Sequence, residues 1–444
     1  MKNPNNKNSR AWFALWILFG INTMNFYDRQ ILGAVMEPVR KAWDLSDYAM
    51  GWLSTAFTLF YAVVGVPLGR LADNWKRTRI LSIGVTVWSL LTVASGFAWN
   101  YWSLFITRLG VGMGEATCAP AANSVIGDLY PASQRGRALS FFMLGLPIGL
   151  FLSYWLSGQI AHAYGWRAAF YFPCLPGLIL AALTLMIHEP ERGAAEIGPQ
   201  ASRRREGSPY WLILSMPTML WIIISGALHN FNMYAAGSFL TAFLIRYHGL
   251  GLKEASFSSA VVLGAVGVIG LLGGGWAADR IGKTRPEGRL LVAAIAMLAA
   301  TPCIYVALGQ PPGTVRPFLV LMGSGSVLMF VYYAGVYAAI QEVIEPALRG
   351  TAMAIYFCAF YIFGASFGPP ITGKLSDYFA HKAMAAAGAT VMTEQYKGAG
   401  LHSAMYLIPV LCLLLAVVLF AAARAMPKDV ERLRKWMRES PGAS

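Results

Sequence analysis

Gly69-Arg70-Leu71-Ala72-Asp73-Asn74-Trp75-Lys76-Arg77 closes one long apolar stretch, and Gly275-Trp276-Ala277-Ala278-Asp279-Arg280-Ile281-Gly282-Lys283 closes another in the second half of the chain. Each copy sets a Gly four residues before an Asp and follows the Asp with basic residues. A Gly near a helix end lets a neighbouring helix approach closely. An Asp there can cap a facing helix or pair with an Arg. Gly69, Asp73 and Arg77, with Gly275, Asp279 and Arg280, therefore read as a latch able to hold one conformation and release in another. Either copy alone would be an ordinary basic loop; two copies at matched places argue for a duplicated unit. A second pair agrees. Arg135-Gly136-Arg137-Ala138 and Arg349-Gly350-Thr351-Ala352 each precede an apolar stretch.

Around these copies the chain is 57% hydrophobic and only 13% charged, against about 25% charged in soluble domains. Its apolar residues fall in blocks long enough to cross a bilayer, which takes roughly 20 residues. The blocks predict spans at 11–36, 48–71, 79–97, 101–126, 137–161, 167–187, 211–245, 255–278, 289–308, 315–342, 350–377 and 401–424. The polar, Gly/Pro-rich, basic stretch 189–210 divides them six and six. The expected fold is an all-α polytopic membrane protein with twelve transmembrane helices in two pseudo-symmetric six-helix bundles, 1–188 and 211–426. Residues 189–210 are the cytoplasmic linker and 427–444 a basic cytoplasmic tail.

The net charge of +14 invites a nucleic-acid reading, but its distribution argues otherwise. With the N-terminus inside, the inner segments hold 24 Lys/Arg, the outer segments nine, and the spans two, Arg29 and Arg108. That skew follows the positive-inside rule and places both termini in the cytoplasm. The first ten residues are polar and carry no cleavable signal pattern, so the first span is expected to act as an uncleaved insertion signal. The five Cys stand alone within predicted spans, so neither a metal site nor a disulfide framework is expected. No H-E-x-x-H, G-x-S-x-G or Walker A sequence occurs; His188-Glu189-Pro190-Glu191 has only a superficial likeness to the first. The chain reads as neither an enzyme nor an ATP-driven pump, and needs no cofactor.

The two Gly–Asp loops resemble the signature cytoplasmic loop of the major facilitator superfamily. The first copy departs from it, with Asn74 in place of a basic residue and Lys76 in place of a Gly; the second is closer. Within the superfamily, three stretches resemble the Spinster-type branch: Asn25-Phe26-Tyr27-Asp28-Arg29, Arg108 through Gly114-Glu115-Ala116, and Ile126-Gly127-Asp128-Leu129-Tyr130-Pro131. Organic-anion symporters share a similar Asp-Arg in the first span. The resemblance implies a monomeric transporter in which Asp28, Glu115 and the arginines serve proton coupling and substrate binding, with a lysolipid or sphingoid phosphate as the substrate type.

The residues themselves carry a parallel argument. A charge at mid-bilayer costs roughly 2.5–3.5 kcal/mol on insertion scales and persists where it pairs or faces water. Asp28 and Arg29 in span 1, and Arg108 and Glu115 two turns apart on one face of span 4, are such charges. Asp28 and Glu115 are the expected proton carriers. Arg29 and Arg108 offer forked donors for a substrate anion. A permanent structural ion network is the competing reading. The second half carries almost no charge at mid-depth. It offers His229, Asn230, Asn232 and Tyr234 in span 7, Tyr333 and Tyr337 in span 10 and Tyr361 in span 11, a set suited to the remainder of an amphiphilic ligand; ordinary packing is the alternative for each. Gly145, Pro147 and Gly149 in span 5, with Gly364, Gly368, Pro369 and Pro370 in span 11, could supply bends for alternating access. Val430, Leu433 and Trp436 among basic residues suit a helix lying on the inner leaflet, or else a frayed end.

The expected function is proton-coupled secondary transport of a small organic anion or amphiphile across the inner membrane. Uptake of a sugar acid or aromatic carboxylate is the alternative substrate reading. A transporter-like sensor without flux is the alternative of another class.

Overall fold

The computed structural model describes residues 4–191, 208–345 and 348–439, leaving aside the side chains at 4–8, 66, 69–74, 132–133 and 437–439. The surroundings of Gly69 and Asp73, most of the 189–210 linker and the chain's last residues lie outside the described residues.

No strand occurs among the described residues. The chain runs as twelve rods: α1 (Pro4–Ala42), α2 (Asp47–Asn74), α3 (Arg77–Gly96), α4 (101–129), α5 (132–164), α6 (Ala168–Leu185), α7 (Pro217–Arg246), α8 (Leu252–Gly282), α9 (Gly288–Leu308), α10 (Val315–Val343), α11 (Arg349–Ala386) and α12 (394–439). A short helix, Pro209–Leu214, stands before α7, so the seventh span starts later than its expected 211. Pro217 is pre-set for a first helical turn and fixes that start. Nine described helices are long and apolar enough to cross a membrane. The rods α1, α4 and α7 are not among them, and these are the rods that bear Asp28, Arg29, Arg108, Glu115 and His229. The polar cost is concentrated in the rods that bear these candidate site residues.

Contacts divide the chain into two compact units, Met1–Pro199 with Gly237–Ala265, and Gln200–Ala236 with Val266–Ser444. The first unit thus takes the last part of α7 and the first part of α8 in addition to the six amino-terminal rods. Below, the near face is the one where α1 begins; the far face is the other.

The breaks have identifiable causes. Pro147 removes an N–H and crowds the carbonyl one turn earlier, and α5 is interrupted at Leu144. In α11 a π-helical stretch, Phe360–Ala365, leads into Gly368-Pro369-Pro370, where the helix restarts with Pro in its first turn. In α1, Val35 leaves helical geometry (φ −108°, ψ 15°) ahead of Pro38. Pro38 frees the carbonyl of Ala34, which accepts from Ser256 Oγ at 3.4 Å. The glycines at the first two breaks sit at close helix crossings. A Cβ on Gly149 would fall 2.8 Å from Phe26 Cβ, and one on Gly368 would fall 2.6 Å from the Phe231 carbonyl oxygen.

One tie recurs in both halves. Asn22 of α1 donates its amide to the Phe142 carbonyl beside the α5 break, and Asn230 of α7 donates to the Phe360 carbonyl beside the α11 break, each at 2.8 Å. The tail continues α12 without interruption. Met426, Val430 and Leu433 are buried, and Asp429 Oδ2 accepts from the Thr218 N–H at 3.0 Å and its hydroxyl at 2.6 Å. The start of α7 is thereby capped by a residue near the chain's end. As far as Leu433 the tail packs on its own unit.

Candidate functional site

Helix α4 begins with a capping box. Asn100 Oδ1 accepts from the Ser103 N–H at 2.8 Å, and Ser103 Oγ accepts from the Asn100 N–H at 3.1 Å. Arg108 and Glu115 follow two turns apart, and the helix is interrupted directly after Glu115, where Thr117 Oγ1 donates to the Gly114 carbonyl. Gly112 lets α2 approach at the Phe57 main chain, and Gly114 sits against Trp88 of α3. These crossings draw α2, α3 and α4 around the charged residues of α1.

The four intramembrane charges do come together, in an arrangement the sequence did not predict. Arg29 Nε donates to Glu115 Oε2 at 2.8 Å, and Asn25 Nδ2 donates to the same oxygen at 2.9 Å. The Arg29 guanidinium lies 4.4, 4.9 and 5.0 Å from the ring centres of Tyr61, Phe57 and Phe26, an aromatic cage that offsets part of its desolvation. Arg108 Nη2 donates to the main-chain oxygen of Asp28 at 3.0 Å rather than to its carboxyl. Both Asp28 carboxyl oxygens, Glu115 Oε1, and Arg108 Nε and Nη1 have no hydrogen-bond partner among the described residues. Asp28 and Arg108 are 1% exposed and Glu115 0%. The charged pair is therefore Arg29–Glu115; Asp28 stands within the field of Arg108 and Glu115, its carboxyl without a hydrogen-bond partner among the described residues.

The second unit supplies an uncharged counterpart. His229 stacks on Tyr332 with centroids 3.9 Å apart and 12° between planes, and meets Tyr333 edge-on at 4.9 Å. Ser225, Tyr332 and Tyr356 join their hydroxyls at 2.9 and 3.1 Å. Tyr337 and Tyr361 belong to the same aromatic group through Tyr356 and Phe357. Both ring nitrogens of His229 lack a partner among the described residues. Asn230 and Asn232 are placed differently. Asn230 holds the α11 carbonyl described above, and Asn232 Nδ2 faces the Ile408 carbonyl of α12 at 3.3 Å. Their amide donors are committed to helix ties here. Tyr234 is half-buried.

Arg77, expected in the near-face latch, is the hub of a larger cluster. It pairs with Asp128, and its Nε lies 3.0 Å from Glu189 Oε1. Glu189 also accepts the first two N–H groups of α3, from Arg77 at 2.8 Å and Thr78 at 3.0 Å. Burial alone would raise the Glu189 carboxyl, but the donors of Thr78 and Arg77 outweigh it and hold it below the usual carboxylate range. In the second half the matching cation is Arg289, not Arg280. Arg289 pairs with Glu342 at 2.7 Å and Asp279 at 3.6 Å, while Arg280 lies over the Trp276 ring at 5.6 Å. Gly275 faces open space; Gly274 makes the close crossing, onto Val331.

A far-face cluster was missed altogether. Arg246 binds Asp47 through two nitrogens at 2.8 and 2.9 Å and Glu37 at 2.7 Å, and Glu37 also holds Arg40 at 2.8 Å. Glu37, Arg40 and Asp47 lie close together around the end of α1 and the start of α2, but Arg246 comes from the end of α7, 199 residues beyond Asp47, so no spacing pattern joins it to them. Trp88 and Asn25 were missed as site residues because a lone Trp or Asn in an apolar span carries no periodic signal. No group of three or more potential metal ligands occurs among the described residues.

Comparison with known proteins now decides the family. The family model described as Major Facilitator Superfamily matches residues 18–369. The chain belongs to the Major Facilitator Superfamily. It is a transporter of the Spinster type, and not an enzyme. Protein spinster homolog 3 of Mus musculus is 31% identical over 387 residues, covering 83% of this chain and 75% of that one. An MFS-type efflux pump of Mycolicibacterium smegmatis is 30% identical over 370 residues, covering 83% and 85%. Among solved structures, a bacterial homologue of the human lysosomal transporter Spinster, inward-facing and unoccupied, superposes with a TM-score of 0.85 at 24% identity, covering 97% and 99%. A D-xylose-proton symporter shares the fold at a TM-score of 0.68 and 17% identity, covering 92% and 97%. This Spinster-type transporter is thus a multi-pass membrane protein.

Proposed function

We propose that this transporter is a proton-coupled secondary transporter for a small organic anion or amphiphile such as a lysolipid, working by alternating access as a monomer. The observation that carries the reading is the Asp28 carboxyl, 1% exposed and without a hydrogen-bond partner among the described residues. An ionised carboxylate left in that state is costly, so the group holds a proton while buried and gives it up when water or a cation reaches it. The cation at hand is Arg108, bonded to the main chain of the same residue and with two nitrogens unused. A substrate carboxylate or phosphate on those nitrogens competes with an ionised Asp28 for one guanidinium. Anion binding therefore favours the protonated acid, and anion and proton occupy the site together. Glu115, held by Arg29 and Asn25 with one oxygen unused, is the second acid through which the proton leaves.

The aromatic group around His229 supports the remainder of the reading, a place for the uncharged part of the ligand. The Spinster resemblance, which implies a lysolipid or sphingoid phosphate, favours an amphiphile over a sugar acid. The Lys/Arg skew favours cytoplasmic termini, with the near face inward, in the cell's inner membrane.

In proteoliposomes, Asp28→Asn and Glu115→Gln abolish uptake driven by a pH gradient, and apparent affinity for an anionic substrate rises as the pH falls. Unchanged uptake in both variants overturns the coupling assignment. A panel of lysolipids, sugar acids and aromatic carboxylates separates the substrate classes, and no flux with any of them would favour a sensor.

A further inference from the structure

Asp28 has a neighbour that the coupling scheme has not used. Trp88 is fully buried in α3, within the apolar cluster that includes Phe57 and Val111. Gly114 of α4 fixes its position, since a Cβ there would stand 2.9 Å from Trp88 Cβ. Its indole N–H has no hydrogen-bond partner among the described residues, and the same holds for both oxygens of Asp28. The indole faces that carboxyl without reaching bonding geometry. A buried N–H left unbonded carries an uncompensated desolvation cost, and one facing an equally unbonded carboxyl is relieved when that carboxyl ionises and moves to accept it.

We propose that Trp88 is a positioning residue for the transported proton: its indole N–H is the donor that receives the Asp28 carboxylate once the proton has left. The other groups around Asp28 do not fill this role. Arg108 is the anion's guanidinium on the reading above, on which this proposal rests; Glu115 is an acid bound to Arg29; Tyr27 lies beside Asp28 in α1 with its hydroxyl meeting Ser157; and Cys174 of α6 offers only a weak donor.

Trp88→Phe keeps an aromatic ring and deletes the N–H. Proton-driven uptake persists, but its pH profile moves about one unit toward alkaline pH, because the carboxylate has lost a donor that favours its charged form. Superposed profiles for the native protein and Trp88→Phe overturn this proposal while leaving Asp28 coupling intact; retained coupling in Asp28→Asn overturns the coupling reading itself. Should the variant not fold, the native protein labelled with indole-15N tryptophan answers the question. One indole resonance must titrate in the native protein and stay fixed in Asp28→Asn, and its absence overturns the proposal.

An independent observation carries a second inference. The far-face cluster Glu37, Arg40, Asp47 and Arg246 joins α1, α2 and α7 through side chains that are 2–4% exposed, with Lys41 at its rim 3.7 Å from Glu37. Close crossings flank it inside the same unit: Gly158 meets the Ser256 side chain, and a Cβ on Gly264 would fall 2.6 Å from Phe151 Cα. We infer that this cluster is the far-face gate, whose ion pairs break when the site opens to that side. In cells bearing Ser256→Cys, Arg246→Met speeds labelling by a membrane-impermeant maleimide several-fold, and Arg246→Lys, which keeps the charge but loses the fork, speeds it less. Equal rates in all three overturn the gate. The parent chain with native Ser256 gives the background from its own cysteines.

Discussion

Matched on Asn22 and Asn230, the first helices of the two halves put Ala236 and Gly237 where α1 carries Asp28 and Arg29. The scaffold repeats down to single hydrogen bonds while the chemistry does not. In each half an asparagine ties the first helix to a carbonyl at the break in the fifth, and glycines let the two cross closely. Each half also ties its third helix to its fourth, Arg77 with Asp128 and Arg289 with Glu342. Among the described residues, only the first half then places acids and guanidinium groups at mid-depth. The second keeps aromatic rings, hydroxyls and one unbonded imidazole. Backbone satisfaction at a helix break is required of both copies; an intramembrane charge is costly, and on the proposed coupling one set suffices for one proton.

The strongest way to break this contrast is to remove one member of the ion pair. Arg29→Met strands Glu115 and is expected to cost about 3–5 kcal/mol in thermal unfolding, whereas the double variant Arg29→Met/Glu115→Met regains most of it. His229→Leu in the other half should cost far less, since it removes no bond found among the described residues.

The repeated tie makes the opposite claim, that the halves are equivalent. Asn22→Leu and Asn230→Leu each leave a buried carbonyl unbonded and should each cost about 1–3 kcal/mol. A large cost at one and none at the other would end the equivalence. Gly149→Ala and Gly368→Ala test the crossings in the same assay, with overpacking losses of about 1–3 kcal/mol expected in both.

The smallest effect is the pH dependence of the near-face cluster. Glu189 is held below the usual carboxylate range, so its contribution is fully present above the unfolded-state value of about 4.3 and is lost as pH falls through the lower folded-state value. Melting temperature should fall more steeply in acid for the native protein than for Glu189→Gln. Parallel curves would show that Glu189 contributes nothing there.

Much of this was legible because long apolar blocks and paired Gly–Asp loops are periodic signals. The span pattern and the mid-membrane charges could be read directly. Their pairing could not. Helical spacing aligned Arg108 with Glu115 along one face, but Arg29 reaches Glu115 because α1 crosses α4 at a depth no sequence interval encodes. The linker began, on composition, at Glu189, which in the structure caps α3; a Glu beside Pro at a span end reads as solvent-exposed. Arg280 follows Asp279 directly and looked like its partner. A helix presents adjacent residues about 100° apart, so Arg289 on the next rod takes that place.

The Asp429 cap on Thr218 has a consequence for how the protein is made. Synthesis runs from the amino terminus, so α7 enters the membrane long before the residue that closes its first turn exists. Until the last helix emerges, two donors at the start of the second half go without their native acceptor. A ribosome stalled before codon 429 would hold a chain whose seventh helix is translated but uncapped, so the start of the second half is completed only once α12 has been made through Asp429.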